Sequence, residues 1–402
     1  MKVGYIAVGT ELLWKDKFES NKNELAKVLL KYGLEIEKEL IIKDKIEDFI
    51  KGIDFLKNCN LIIISGGLGP TKDDITKEGL SKYFKSKLHF NENLWKKFKL
   101  KYEKKGFKIK EVAKNQFFIP SCSKILKNEK GSAPGIFIKK NNMTVLGFPG
   151  VPEEFKFMLS KHLEPYLKKK KFKKIFTRTY NLSGTFESYV EEKLKSFYEK
   201  FPSRKITILA SFGTVSITIK EEDKNVFKKM DKEVKKLLKD EIFSFDEKKL
   251  NESIYGLLSL KDKTISIAES CTGGGLSYEL VKVPGISKYF KGGIVVYSNE
   301  AKEKLLNVSK DALLNFGAVS AEVAKEMAEN VRKKFKTDIG LSATGIAGPE
   351  GGSKQKPVGT VYIGISREGY TNASKFQFLG SRERIQKFSI NFALHLLRKA
   401  LL

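Results

Sequence analysis

The sequence predicts an α/β protein: two three-layer α/β domains with mainly parallel sheets, joined by a small α+β domain. Strand and helix signals alternate through 1–168 and again through 250–402, the rhythm of a parallel sheet covered by helices. Glycine-rich turns follow directly on apolar runs, as they do where such sheets bind ligands. The 402 residues also exceed one ordinary core, since domains hold roughly 100 to 200 residues.

In order, Val3 to Val8 reads as a strand, Asn23 to Tyr32 as a helix, Glu35 to Ile42 as a strand, Ile46 to Lys57 as a helix and Leu61 to Ser65 as a buried strand. Helical stretches at Lys77 to Lys85 and Glu92 to Lys105 precede strands at Gly135 to Lys139 and Met143 to Leu146. PGVPEEF, Pro149 to Phe155, opens a closing helix with early proline and first-turn acids. The run Lys168 to Lys174 is a linker or solvated helix end. The middle domain, 169–249, then shows a strand (Ile175 to Asn181), a helix (Phe186 to Tyr198), two strands (Ile206 to Ala210, Thr214 to Lys220) and a lysine-rich helix (Asn225 to Lys239). From Leu250 strands are expected at Thr264 to Ala268, Gly293 to Tyr297, Ile339 to Ser342, Val358 to Ser366 and Ala373 to Leu379. Helices lie near Leu276, Ala301 and Ala321, and the last carries Ile385, Phe388, Phe392 and Leu396 at helical spacing.

Composition narrows the chemistry. Apolar residues are 41% and charged residues 31%, and no apolar run approaches the ~18 residues that span a bilayer. Val3 to Val8 meets Glu11 too soon for a secretion signal, so a cytoplasmic location is expected. Cys59, Cys122 and Cys271 share no metal spacing, and three scattered histidines leave hard cations as the metals these side chains suit. The net charge of +28 is almost all lysine. Only seven of the 76 basic residues are arginine, and the middle domain, whose shape suits a KH module, lacks a GxxG loop. Nucleic acid is therefore not the expected partner.

TISIAESCTGGG, Thr264 to Gly275, ends a strand in Ser270, Cys271, Thr272 and three glycines. A hydroxyl on such a turn can be a nucleophile, part of an oxyanion hole or a phosphate cradle. In YSNEAK, Tyr297 to Lys302, Ser298 or Asn299 can cap a helix that holds Lys302 in its first turn. The helix dipole there lowers a lysine pKa and favours a base, although a solvated lysine reads the same way. SATGIAGPEGG, Ser342 to Gly352, is a second glycine-rich loop or simply a turn. GSRERIQ, Gly380 to Gln386, puts Arg382 and Arg384 at a helix start, which hints at a bound phosphate. Few histidines make a Ser–Lys pair more plausible than a Ser–His–Asp triad. His395 reads as structural, and Cys271 has no paired base.

These four elements, in this order, resemble the C-terminal domain of the CinA family, the nicotinamide mononucleotide deamidases, over 250–402. The resemblance implies hydrolysis of the carboxamide of nicotinamide mononucleotide to the carboxylate plus ammonia through a serine acyl-enzyme, with no cofactor. Ser270 then attacks, Lys302 takes its proton and Tyr297 helps position it. Amides of the Gly273 to Gly275 turn, Gly273 and Gly274 among them, and the Thr344 hydroxyl would hold the oxyanion or the phosphate, with Gly345, Gly348 and Arg382 also on the substrate. Ser381 departs from the acid usual in the family's GDRE.

SGGLGPTKDDIT, Ser65 to Thr76, sets Asp73 and Asp74 beside glycine amides. Adjacent carboxylates there can hold a divalent cation against a pyrophosphate, or Thr71 or Asp73 merely caps the next helix. With GTELL (Gly9 to Leu13), KGSAPG (Lys130 to Gly135) and FPGVPEE (Phe148 to Glu154), it resembles the molybdopterin-binding-type domain that begins CinA proteins, over 1–168. The resemblance implies metal-dependent hydrolysis of ADP-ribose to AMP and ribose 5-phosphate, or binding of a pterin or nucleotide without turnover. Thr10, Glu11, Gly66, Gly67, Gly69, Thr71 and Ser132 would hold the ligand, and Asp73 and Asp74 a cobalt or magnesium ion, with potassium as a further cation. Lys15 replaces a family glycine and Glu19 a family aspartate. The middle unit, with SGTFES at Ser183 to Ser188, resembles the family's KH-like domain, a spacer or the contact of a homodimer. The competing classes are a protein of DNA uptake or damage response and a molybdopterin-binding scaffold.

Overall fold

A computed structural model describes residues 1–14, 18–106, 108–170, 172, 175–202, 206–245 and 248–402. Lys15 and part of the Lys168 to Lys174 run lie outside the described residues. The chain forms two compact units, Met1–Ile175 and Phe176–Leu402.

The first unit contains β1 (Val3–Val8), β2 (Ile36–Ile42), β3 (Leu61–Ser65), β4 (Leu88–Phe90), β5 (Phe118–Pro120), β6 (Lys124–Leu126), β7 (Gly135–Lys140) and β8 (Met143–Phe148). Its main sheet runs β2-β1-β3-β8-β7-β6; the first four strands are parallel, β7 is antiparallel to β8, and β6 is antiparallel to β7. β1 and β3 are continuously apolar because both faces are covered. Ile6, Val8, Ile62 and Ile64 enter one core, and Val3, Tyr5, Ala7, Leu61 and Ile63 the other. Parallel strands bring the ends of β1, β3 and β8 to one edge, where GTELL, SGGLGP and FPGVPEE meet.

In the second unit β9 (Phe176–Ser183), β10 (Ile206–Ser211), β11 (Thr214–Glu221) and β12 (Ile242–Phe245) form an antiparallel sheet of order β10-β11-β9-β12. A second sheet comprises β13 (Ile265–Glu269), β14 (Phe290–Val295), β15 (Ile339–Gly345), β16 (Thr360–Arg367) and β17 (Tyr370–Gln377), in the order β14-β13-β15-β16-β17. Here β14, β13 and β15 are parallel, and β16 and β17 antiparallel. Helix Arg382–Ala400 closes one face through Ile385, Phe388 and Phe392. Helix Ala321–Phe335 closes the other through Val323, Met327 and Val331. Gly340 and Gly364 permit its close approach: a Cβ on either would strike a carbonyl of that helix, at Ala328 and Ala324.

Several elements differ from expectation. Helix Leu250–Lys261, helix Lys310–Phe316 and β12 were not expected; the first buries three apolar residues, Leu250, Ile254 and Leu258, together with the polar Asn251 and Ser253. The helix expected from Phe186 to Tyr198 is two, Glu187–Lys193 and Lys195–Lys200. β14 begins three residues early and stops at Val295, which frees Val296 and Tyr297 to turn toward the site. No described helix is long and apolar enough to cross a membrane.

Candidate functional site

β13 is buried at all five positions and ends in Glu269, a carboxylate with no solvent exposure. Such burial requires donors, and the next turn supplies five. Thr272 Oγ1 (2.7 Å), the Gly274 amide (2.9 Å) and the Leu276 amide (3.0 Å) donate to one oxygen. The Ser277 amide (2.8 Å) and hydroxyl (2.7 Å) donate to the other. Gly273 and Gly274, at φ 59° and 95°, allow the chain to curl back to make these bonds. The Gly273 amide donates to the Ser270 carbonyl (3.1 Å) and that of Gly275 to Thr272 (3.0 Å). The glycine amides expected to hold an oxyanion or a phosphate are therefore all used within the turn, and a phosphate placed there would face a buried carboxylate. Among the described residues, the amides of Cys271 and Thr272 reach no acceptor on another residue.

Ser270 is 7% exposed and is fixed by its amide's 2.9 Å bond to the Ala343 carbonyl on neighbouring β15. Past β14, the Val296 amide bonds to the Glu269 carbonyl (2.8 Å), and Ser298 caps helix Asn299–Leu306 by accepting from the Ala301 amide (3.0 Å). Lys302 thus points inward from the first turn. It is 1% exposed, and its Nζ donates to Ser270 Oγ (3.1 Å), the Val296 carbonyl (2.9 Å) and the Tyr297 carbonyl (3.5 Å). No carboxylate pairs with it among the described residues, and burial lowers its pKa below the usual lysine value. In the deprotonated form that burial favours, Nζ accepts from the Ser270 hydroxyl instead of donating to it, which makes it a base beside a nucleophile. The Cys271 thiol, also buried, is pushed up to about 12 and stays protonated. His395 bonds to Ser183 Oγ (3.0 Å), its pKa pushed down to about 4 by burial, away from this pair.

Three expected residues form a chain at the rim. Arg382 donates to the Tyr297 hydroxyl (2.8 Å) and to the Gly348 carbonyl (2.9 Å). Gly345 ends β15. Thr344, 1% exposed, donates its hydroxyl to the Ala318 carbonyl (2.8 Å) and so stands in the wall with its proton used. Sequence reasoning missed the structural task of Glu269, although a carboxylate ending an otherwise uncharged, mostly apolar strand was the available signal. It also missed Gln386, which donates to the Cys271 carbonyl (2.8 Å) and braces the turn from the last helix.

In the first unit a cavity of about 480 Å³ lies at the strand ends. Of the expected residues Glu11, Gly66, Gly67, Gly69, Ser132, Asp73 and Asp74 line it; Thr10 and Thr71 do not, but each bonds to an acid that does. Thr10 and Asp44 exchange bonds, amide to carboxylate (2.7 Å) and amide to hydroxyl (3.0 Å). Asp74 accepts from the amides of Gly69 and Thr71 (2.8 Å each) and from the Thr71 hydroxyl (2.5 Å). Asp73 is exposed. Glu19 accepts from the Tyr5 hydroxyl (2.8 Å) and the amides of Asn21 (2.9 Å) and Lys22 (3.0 Å), capping helix Asn21–Leu30. Asp44, Asn21 and Glu154 also line the cavity and were not singled out beforehand. Six carboxylates line it, with no lysine or arginine among the described residues. No three acids, histidines or cysteines among the described residues gather as a preformed ligand set, so a hard cation here would be held by one or two carboxylates together with substrate oxygens.

A family model described as the CinA C-terminal domain matches residues 247–401, and one described as a probable molybdopterin binding domain matches residues 4–169. The chain is 38% identical to a CinA-like protein of Dictyoglomus thermophilum, with all of both chains covered. It is 37% identical to a putative competence-damage inducible protein of Caldicellulosiruptor saccharolyticus, again over both whole chains. A crystal structure of a competence/damage inducible protein from Agrobacterium tumefaciens is 34% identical, covers 38% of this chain and 93% of its own, and has a TM-score of 0.37.

Proposed function

The chain belongs to the CinA family, and from that premise we propose that its C-terminal part hydrolyses the carboxamide of nicotinamide mononucleotide. The observation that carries the proposal is the buried Lys302 Nζ, 3.1 Å from Ser270 Oγ and paired with no acid among the described residues. Ser270 Oγ attacks the carboxamide carbon while Lys302, neutral, accepts its proton. The amides of Cys271 and Thr272 stabilise the oxyanion, in place of the glycine amides, which are used within the turn. Collapse breaks the C–N bond, and the proton on Lys302 leaves with the nitrogen as ammonia. A water then gives its proton to Lys302 and attacks the ester, releasing nicotinate mononucleotide and returning the proton to Ser270. Tyr297 and Arg382 flank the pair and orient the substrate. Ammonia release from nicotinamide mononucleotide, compared with Ser270→Ala and Lys302→Ala, tests this; wild-type release no greater than that of the variants contradicts it.

A second activity is favoured by the acid-lined cavity of the first unit: hydrolysis of ADP-ribose to AMP and ribose 5-phosphate. A pyrophosphate among six carboxylates needs positive charge to enter, and without a preformed ligand set that charge arrives with the substrate. Hydrolysis assayed with and without cobalt or magnesium, beside Asp73→Asn, tests this. Metal-independent hydrolysis, or none, contradicts it.

A further inference from the structure

The loop after β3 turns its carbonyls inward. Five consecutive carbonyls are captured by protein donors. The Thr76 hydroxyl takes Gly66 (2.8 Å) and the Thr76 amide takes Gly67 (3.0 Å). Lys77 Nζ takes Leu68 (3.0 Å) and Gly69 (3.1 Å), and the Asn115 side chain takes Pro70 (3.0 Å). Lys77 completes its three bonds on the Asn115 carbonyl (3.0 Å) and is 5% exposed. A lysine donates three hydrogens and accepts none, so these three carbonyls satisfy it fully. Burial pushes its ammonium down to about 8, against the attraction of Asp74. At neutral pH it remains charged.

With the carbonyls drawn back, the opposite side of the loop carries amides. Gly66 and Gly67 have φ of 98° and 66°, and among the described residues the amides of Gly67 and Leu68 meet no protein acceptor; both residues line the cavity. Successive unpaired amides at such a bend form an anion-binding concavity. Asp74, which also lines the cavity, holds the far end of the loop by accepting from the amides of Gly69 and Thr71.

We propose that Lys77 is a positioning residue for the first unit's site: its buried ammonium anchors the Leu68 and Gly69 carbonyls, and thereby presents the Gly67 and Leu68 amides to a phosphate oxygen of the ligand. The ligand class is a phosphorylated nucleotide or sugar that brings its own cation past the acidic wall. The inference rests on reading the cavity as a phosphate-ligand site.

The test uses the full chain with Lys77→Met, which keeps length and removes the donors, and Lys77→Arg, which keeps the charge. Hydrogen exchange of the segment 66–71 is measured without ligand, and ADP-ribose binding in the presence of magnesium by calorimetry. In Lys77→Met the segment's exchange is expected to quicken about tenfold or more and affinity to fall about tenfold, the scale of hydrogen bonds lost from a charged donor. Lys77→Arg recovers part of both, and ammonia release from nicotinamide mononucleotide stays unchanged in each. Exchange and affinity of Lys77→Met both within about twofold of wild type overturn the inference, being less than one such bond contributes. If the wild type binds no ADP-ribose, the cavity reading fails while the exchange result still decides whether Lys77 holds the loop. If Lys77→Met does not fold, the same exchange comparison on Lys77→Arg and Lys77→Gln decides: loss of protection in Gln but not in Arg supports it, and equal protection overturns it.

Discussion

The two glycine turns of this protein are built with opposite polarity. After β13 a buried carboxylate, Glu269, draws the turn's amides inward, whereas after β3 a buried ammonium, Lys77, draws the loop's carbonyls inward. In the first turn the glycine amides are used and a negative charge lies beneath them, which leaves only the Cys271 and Thr272 amides to meet an oxyanion and disfavours a phosphate. The turn holds one hydroxyl against one amine. The second keeps unpaired amides and a positive charge behind them, the arrangement an anion needs. Glycine-rich sequence after a strand is common to both. The buried charge decides which chemistry each can do.

Changing Lys302 tests the nucleophile half of this contrast most severely. Lys302→Met removes the base and is expected to lower kcat for ammonia release about a thousandfold or more with KM nearly unchanged, as when one member of a nucleophile–base pair is lost. Glu269→Gln is nearly isosteric, but its amide hydrogens confront donors that now need a single acceptor. A fall in kcat of about a hundredfold is expected, similar to the loss of oxyanion geometry. A Glu269→Gln enzyme with full activity would remove the inward-amide account. The pH profile sharpens it: Lys302 must be neutral to accept a proton, so kcat/KM rises with pH through its pKa, and burial puts that limb below the usual lysine value of about 10.4. Because the folded pKa is the lower, the unfolded chain holds the proton more tightly. Stability contributed at Lys302 therefore increases with pH between the folded value and about 10.4. In the other unit, Asp74→Asn puts an NH2 group against the Gly69 or Thr71 donors and is expected to slow ADP-ribose hydrolysis about tenfold, while ammonia release is untouched. The smallest effect is expected of Gln386→Ala, which loses one neutral bond to the Cys271 carbonyl: about three- to tenfold in kcat.

Much of this was legible in the sequence, and the failures have physical causes. The parallel core strands, continuous apolar runs bounded by glycine, fell where expected at β1 and β3. Helix Leu250–Lys261 did not, because its buried face mixes three apolar residues with the polar Asn251 and Ser253. Ser270 and Lys302 were named from a turn and a helix start, and they lie in hydrogen-bond contact. The donors around them were misassigned. Spacing shows that glycines are present, but the direction of their amides depends on a buried charge satisfied by contacts across the turn, as Glu269 is by Leu276 and Ser277. Lys77 was hidden for the same reason: in a chain with a lysine surplus, nothing in the sequence marks the one drawn into a loop.

The central claim is that Ser270 is the nucleophile of an amide hydrolysis whose base is Lys302. The most direct measurement is to quench the full-length protein during turnover of nicotinamide mononucleotide and weigh the peptide carrying Ser270, alongside released ammonia. The account predicts an ester-linked adduct on Ser270 together with ammonia in the wild type, and neither in Ser270→Ala. Ammonia release from Ser270→Ala at the wild-type rate would contradict it.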